Sequence, residues 1–498
     1  MNKANLLKDI KHLFTDNQLE SFPEEVTGIS FDSRSIEPGN IFVCYEGANI
    51  NSNQFIDDAI KNGAVLVISD DRRQLQSRKD IPVLYFKEAR KILSYIASAF
   101  YNSPSKNLYS IGITGTDGKS TTAYMIYSIL RQLNINVTLI STLGIYINDQ
   151  EILPVDNKIR LTTPDPPDLF QLINTAKESG STHIILEMTS HALSLDKVAP
   201  IELDCAIFTS FSPDHQEFHD NEDEYFAAKS KIIDLLKPDG HLILNADNKK
   251  VFALSNHFKH SIGVGFDDVS DMSIEKTKEN LFHTDYLLKT DENNFVGSTE
   301  LMGDFNLMNI GMAFIASLQC NIPSSAIIDS IKSCNNIPGR FERISGAPFQ
   351  VIVDYAHTPD AFEKILNTLS RYIKGRLIIV FGCAGERSKE RRYGLGKLTA
   401  ERANMSIITE EDSRSESIHD IVQDIESAIK VTGATEGDNY KIILDRKEAI
   451  KFALEYADED DFVLILGKGH EKSIESGGEI IPWDDRKITK ELIDKIFN

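Results

Sequence analysis

Lys119, Ser120 and Thr121 follow directly on Gly115-Thr116-Asp117-Gly118. A cation, two hydroxyls and a glycine-flanked turn are the groups that a phosphate requires. Backbone N–H groups can face its oxygens, the ammonium can neutralise them, and a hydroxyl can reach a divalent cation. Leu108 to Ile113 is an apolar run that reads as a buried strand. Ala123, Ile126, Tyr127 and Leu130 carry helical spacing after the turn. The order strand, glycine loop, helix is that of a phosphate-binding loop, and it disfavours a chance Gly-Lys-Ser turn. The strict eight-residue motif is not met. It wants glycine where Ile113 stands, and Gly112 lies one position further out.

Other groups able to do chemistry fall just past apolar runs. Glu187-Met188-Thr189-Ser190-His191 follows His183–Leu186, and Ser210-Phe211-Ser212-Pro213-Asp214-His215 follows Ala206–Thr209. A glutamate past a buried strand and beside a phosphate loop suits Mg²⁺, and His215 could be a second metal ligand. Either residue alone reads as readily as a capping or packing group. Their shared position at strand ends is what suggests a site. Lys229 lies one turn after Tyr225 on a helical stretch from Asn221, where a lysine reads as a solvated surface group. Asn306 reads as a helix N-cap, with Asn309 one turn on.

The elements that must carry these groups divide into three units. Residues 1–104 form a small mixed α/β unit, closed by the linker candidate Tyr101-Asn102-Ser103-Pro104-Ser105-Lys106. Residues 105–336 alternate apolar runs with helical patterns, as a mostly parallel sheet covered on both faces does, with residues 246–300 more irregular and polar. Residues 337–498 repeat the alternation as a Rossmann-like domain. Its strand-end loops are 354–359, 382–387, 410–414 and 467–471. The fold class is therefore α/β in three domains, with sites at the carboxyl ends of the strands.

Composition narrows the function. Fifty-three Lys and Arg against 75 Asp and Glu give a net charge of −22, which argues against a nucleic-acid partner. An anionic ligand would then need local cations or metal ions inside its cleft. No apolar run of about 18 residues suggests a membrane span, and no signal peptide is evident. The five cysteines, at 44, 205, 320, 334 and 383, make no Cys-x-x-Cys pair and read as buried free thiols of a cytoplasmic protein.

Together the motifs resemble the Mur ligase family, ATP-dependent amide-forming ligases of peptidoglycan synthesis. The resemblance runs in order through Thr114–Thr121, Glu187–Leu193, Ser212–His215, Tyr225–Lys229, Gly303–Asn309, Pro338-Gly339-Arg340, Asp354–Pro359 and Gly467–Glu471. Asp117 stands where asparagine is usual. Asp32-Ser33-Arg34, Leu161–Pro164 and Gly467-Lys468-Gly469-His470-Glu471 resemble the members that add the third residue of the peptide. The resemblance implies ATP and Mg²⁺ as cofactors. It puts ATP on Gly115, Thr116, Asp117, Gly118, Lys119, Ser120, Thr121, Asn306, Asn309, Arg340 and Asp354. It makes Lys119, Glu187, His215 and Lys229 catalytic. Ser120, Glu187, His215 and Lys229 become metal ligands, Lys229 as a carbamate. It assigns the UDP-N-acetylmuramoyl dipeptide to Ser33, Thr162, Thr163, Thr189 and Lys197. The incoming diamino acid falls to Arg387, Glu411, Asp412, Ser413, Arg414, Gly467 and Glu471. A monomer acting on small molecules is expected.

The amino acid itself is less determined. Members that add meso-diaminopimelate carry Asp-Asn-Pro-Arg where this chain has Glu411-Asp412-Ser413-Arg414. Arg414 could fork onto a distal carboxylate, which favours diaminopimelate. The added charge of Asp412 could suit a second ammonium, which keeps lysine and other diamino acids as alternatives. Leu195, Lys197, Thr189 and Asn51-Ser52-Asn53 also depart from the usual pattern. A folylpolyglutamate-type ligase and a silent nucleotide-binding protein are the competing functions.

Overall fold

The computed structural model describes residues 1–47, 50–77, 81–152, 161–212, 221–267, 269–334 and 336–497. His215 lies outside the described residues. The chain forms two compact units. One comprises 1–275, 287–296 and 308–331; the other comprises 276–286, 297–307 and 332–498.

In the first unit a four-stranded parallel sheet runs in sequence order through Gly28–Ser30, Asn40–Cys44, Leu66–Ser69 and Val83–Tyr85. Its second strand shows why continuous apolar runs form here. Ile41 and Val43 enter one core, and Phe42 and Cys44 enter the core on the other face. Asn102 and Ser103, expected in a linker, take left-handed backbone. The chain then makes a helical turn at Pro104–Asn107, and the Ser103 hydroxyl donates to Asp9 at 2.7 Å.

The same unit holds the phosphate-loop candidate on a larger sheet. The strands Leu203–Phe208, Tyr109–Thr114, His183–Glu187 and Val137–Ser141 are neighbours in that order and all parallel. Their carboxyl ends, at Phe208, Thr114, Glu187 and Ser141, therefore open on one edge. Gly112 lies inside this sheet, where a Cβ would stand 2.6 Å from Leu203 Cδ1. It is a packing glycine of the strand and takes no part in the loop. Residues 246–300 are more regular than the sequence suggests, with strands at Ser261–Gly265, Met272–Asn280, His283–Lys289 and Asn294–Thr299. Among the described residues no helix is long and apolar enough to cross a membrane.

The second unit is built on a six-stranded sheet in the order Glu342–Arg343, Gln350–Asp354, Phe462–Leu466, Leu377–Phe381, Met405–Ile408 and Tyr440–Ile442. All neighbouring pairs but the first are parallel. Ile379 and Phe381 pack into one core, and Ile378 and Val380 into the other. A hairpin of Ser473–Ser476 with the exposed strand Glu479–Pro482, and a helix at Asp485–Phe497, complete it.

Candidate active site

The glycine loop is shaped by its neighbour strand. Gly115 has φ +147°, and a Cβ there would stand 2.1 Å from Thr209 Oγ1. Gly118 has φ +83° and precedes the helix Lys119–Gln132. The Thr116 N–H donates to Ser210 O at 2.8 Å, and the Asp117 N–H donates to Ser210 Oγ at 2.9 Å. Thr209 Oγ1 and Ser210 Oγ donate to Asp117 O at 2.5 and 3.0 Å. Thr116 Oγ1 donates to Ser212 O at 3.1 Å. The backbone of Asp117 thus anchors the loop, while the residue itself is exposed. No side chain caps the start of the helix, so its first N–H groups and its dipole suit an anion. Lys119 Nζ donates to Thr116 O at 2.8 Å, which keeps the ammonium over the loop.

At the second residue of that helix, Ser120 Oγ donates to the Glu187 carboxylate at 2.9 and 3.1 Å. The Thr142 N–H donates to the same carboxylate at 3.0 Å. Glu187 is 2% exposed. The chain around it is held by hydroxyls. Thr163 Oγ1 donates to Glu187 O at 2.8 Å and accepts from the Thr189 N–H at 3.3 Å. The Thr142 and Thr162 hydroxyls share a hydrogen bond of 2.9 Å. Ser120, Thr162, Thr163, Glu187 and Thr189 are thereby brought into one network. A carboxylate and a hydroxyl within hydrogen-bond distance at the end of a phosphate loop are hard oxygen donors of the kind Mg²⁺ takes.

Lys229 is not the solvated group that its residue type suggests. It is 2% exposed; its Nζ donates to Gly115 O at 2.6 Å and lies 4.5 Å over the Tyr225 ring. Thr122 Oγ1 donates to Asn309 Oδ1 at 3.2 Å, which ties Asn309 to the loop's helix. Thr121 is buried. Lys197 is buried and pairs with Asp165 at 2.7 Å. Ser33 is buried in the helical turn Ser33–Ser35, with its carbonyl accepting from Asn62 at 2.9 Å. Asn306 is not an N-cap. The helix already begins at Asp304, and the Asn306 amide donates to Met302 O at 2.8 Å.

In the second unit the strand-end loops clasp one another. Asp354 accepts the N–H groups of Phe341 and Ala356, each at 2.5 Å. The Tyr355 N–H donates to Gly339 O at 2.9 Å. Arg340 lies 4.5 Å over the Tyr355 ring. Gly339 has φ +60°, and a Cβ there would stand 2.1 Å from His470 N, so the loops meet backbone to backbone.

Nearby, Lys468 Nζ pairs with Asp412 at 2.8 Å and with Glu471 at 2.5 Å. Burial works against the Lys468 ammonium, but Glu471 and Asp412 hold its pKa above the ordinary lysine value. Burial pushes the Glu471 carboxyl up to about 7, against the pull of Lys468. Burial also raises Glu411, whose nearest cation is Arg391 at 4.0 Å. A Cβ on Gly467 would stand 2.6 Å from Glu411 Oε2. Ser413 Oγ donates to Glu410 at 2.7 Å. Arg414 takes left-handed backbone at φ +55°, donates its N–H to Glu475 O at 2.9 Å and holds its guanidinium 3.9 Å from Glu386. Arg387 is half-buried on the loop beside Glu386. Asp412 does not stand open to a ligand ammonium, because one oxygen holds Lys468 and the other accepts the Glu475 N–H at 2.8 Å.

Several contacts of the site could not be read from residue types and spacing. Thr142 holds the first cluster through its backbone N–H, and Thr209 and Ser210 through hydroxyls on the Asp117 carbonyl, contacts for which residue spacing gives no signal. Lys468 and Arg446 are buried, and Asp165 and Arg391 half-buried, by packing between residues distant in sequence.

The chain is similar to known proteins over nearly its whole length. Residues 25–101 match the model described as Mur ligase family, catalytic domain; residues 113–317 match the Mur ligase middle domain; residues 339–469 match the Mur ligase, glutamate ligase domain. It is 33% identical to the UDP-N-acetylmuramoyl-L-alanyl-D-glutamate--2,6-diaminopimelate ligase of Caldanaerobacter subterraneus subsp. tengcongensis, over 99% of each chain. The ligase of that name from Syntrophomonas wolfei subsp. wolfei is also 33% identical, over 98% of this chain and 99% of the relative. A solved structure of a UDP-N-acetylmuramoyl-L-alanyl-D-glutamate--2,6-diaminopimelate ligase superposes with a TM-score of 0.69 at 26% identity, over 98% of each chain. The chain belongs to the Mur ligase family, with its three-domain α/β fold, and is an ATP-dependent acid–amino-acid ligase.

Proposed function

We propose that the chain joins meso-2,6-diaminopimelate to UDP-N-acetylmuramoyl-L-alanyl-D-glutamate, with ATP converted to ADP and phosphate. The observation that carries this reading is the buried Glu187 carboxylate on the Ser120 hydroxyl, at the end of a glycine loop built for phosphate. The names of the relatives support the substrates. The acceptor's terminal carboxylate attacks the γ-phosphorus, ADP leaves, and an acyl phosphate results. The amine of the amino acid then attacks the acyl carbon, and phosphate leaves. Lys119 and the helix N-terminus stabilise the charge that develops on the transferred group.

Ser120 and Glu187 would hold Mg²⁺, joined by His215 and by Lys229 as its carbamate. The cation would neutralise phosphoryl charge. Asn306, Asn309, Arg340 and Asp354 hold adenosine. Ser33, Thr162, Thr163, Thr189 and Lys197 hold the muramoyl dipeptide. Arg387, Glu411, Asp412, Ser413, Arg414, Gly467 and Glu471 form the amino-acid pocket, with Asp412 contributing through Lys468. The protein works as a cytoplasmic monomer; free cysteines suit a reducing compartment.

Phosphate release should require both the muramoyl dipeptide and an amino acid, assayed with diaminopimelate, lysine and ornithine in parallel. No release with any of the three overturns the assignment. Arg414→Ala should lower kcat/KM for diaminopimelate by roughly 10–100-fold, the value of a charge-assisted hydrogen bond. Unchanged use of diaminopimelate would remove Arg414 from the pocket. Gly115→Ala should weaken ADP binding about tenfold or more, because a Cβ facing Thr209 Oγ1 at 2.1 Å forces the cradle to shift. Calorimetric titration with ADP reads this, and an unchanged affinity would contradict it.

A further inference from the structure

We propose that Asp412 and Lys468 are positioning residues that act on Glu471, so that the pocket selects an incoming amino acid bearing a second ammonium. This inference rests on the amino acid being bound at Glu471, as proposed above.

Lys468 is 1% exposed and is shared by two carboxylates, Asp412 at 2.8 Å and Glu471 at 2.5 Å. Two carboxylates on one buried ammonium leave a charge of −1 when both are ionised, with Asp412 and Glu471 themselves 18% and 31% exposed. Of the groups around Glu471, Arg340 is held over the Tyr355 ring at 4.5 Å. Glu411 adds a further acid on the neighbouring strand-end loop, with Arg391 4.0 Å from it. Tyr355 and His470 contribute rings with centroids 4.8 Å apart. Arg446 is committed to Asp485 at 2.7 Å. Both oxygens of Asp412 are engaged, by Lys468 and by the Glu475 N–H. Asp412 therefore acts through Lys468 and leaves the ligand to Glu471.

The amine that forms the new bond must be uncharged. An amine held against a carboxylate keeps its proton. The ammonium on Glu471 is consequently the second one of a diamino acid, which does not react. Asparagine at 412, the usual residue of diaminopimelate-adding members, would leave Lys468 to neutralise Glu471 alone and would weaken the demand for that ammonium. The raised pKa of Glu471, due to burial and to Asp412 against the pull of Lys468, points the same way.

The test compares 2,6-diaminopimelate with 2-aminopimelate, which lacks the second amine, in the full-length wild type and Asp412→Asn between pH 6 and 9. The wild type should prefer the diamino acid by about 10–100-fold. Its kcat/KM should fall on the acid side as Glu471 takes up a proton. Asp412→Asn should reduce the preference several-fold and move the acid limb to lower pH, because it removes a charge that raises Glu471. KM for ATP should not change. A merely structural role would slow both amino acids alike and leave the limb in place, and that result in a variant melting like the wild type overturns the proposal. Should the variant not fold, a wild type that uses both amino acids equally overturns it as well. Turnover of neither amino acid by the wild type would instead refute the function proposed above.

Discussion

Lys119→Ala should lower the rate of ATP-dependent ligation by about three orders of magnitude while the protein stays folded. The two parts of this expectation have separate causes. The ammonium belongs to the first residue of the helix Lys119–Gln132, and its recorded hydrogen bond is to the carbonyl of Thr116. Losing that bond costs about 1 kcal/mol at most, and alanine is the best helix former. The phosphoryl group in transfer loses much more. It spreads negative charge over its oxygens, and in a protein with a net charge of −22 the field must be reversed locally. Helix N–H groups remain in the variant, so some rate survives. Phosphate release in a single turnover, with a melting curve on the same sample, separates the two effects. A rate within tenfold of the wild type would mean that Lys119 does not meet the transferred group.

The loop was legible because its requirements are local. A buried strand, glycines at forced backbone and a helix start occupy consecutive residues. The offset from the strict motif also has a physical reason: Gly112 serves the contact with Leu203, whereas Gly115 serves Thr209. Continuous apolar runs such as Leu377–Phe381 declared strands buried on both faces. His283–Lys289 did not, because it buries only Thr284, Tyr286 and Leu288, in alternation with His283, Asp285, Leu287 and Lys289. Lys229 was missed as a buried group because a helix lysine reads as solvated by residue type, and its helix Glu222–Ser230 opens with three acids. Asn306 misled because an asparagine near a helix start caps by residue type, while the observed start lies two residues earlier. Asp412 was read as an open charge, and only the three-dimensional pairing with Lys468 gives it a different role.

Asp485→Asn should destabilise the second unit by about 3–5 kcal/mol, the cost of breaking a buried ion pair by removing one partner. Arg446 and Asp485 are 39 residues apart in sequence, and their side chains are 1% and 0% exposed. The guanidinium meets the carboxylate through two hydrogen bonds, of 2.9 and 2.7 Å. Arginine cannot shed its charge, so the variant leaves it buried against a neutral amide. Replacing both residues by apolar ones of similar volume should recover most of the loss, because the pair's desolvation penalty then disappears as well. The chain carries its own reporter. Trp483 is its single tryptophan, and its indole N–H donates to Asp485 at 2.8 Å. Tryptophan fluorescence in urea therefore follows this unit, and an unfolding free energy within 1 kcal/mol of the wild type would contradict the expected cost. The pair should also matter for substrate. Arg446 donates to Glu410 O at 3.1 Å and to Leu466 O at 2.9 Å, the carbonyls that precede the loops at 411–414 and 467–471. Slackening both carbonyls should raise KM for the amino acid more than KM for ATP. Equal increases would show that Arg446 supports the unit as a whole without aligning the amino-acid pocket.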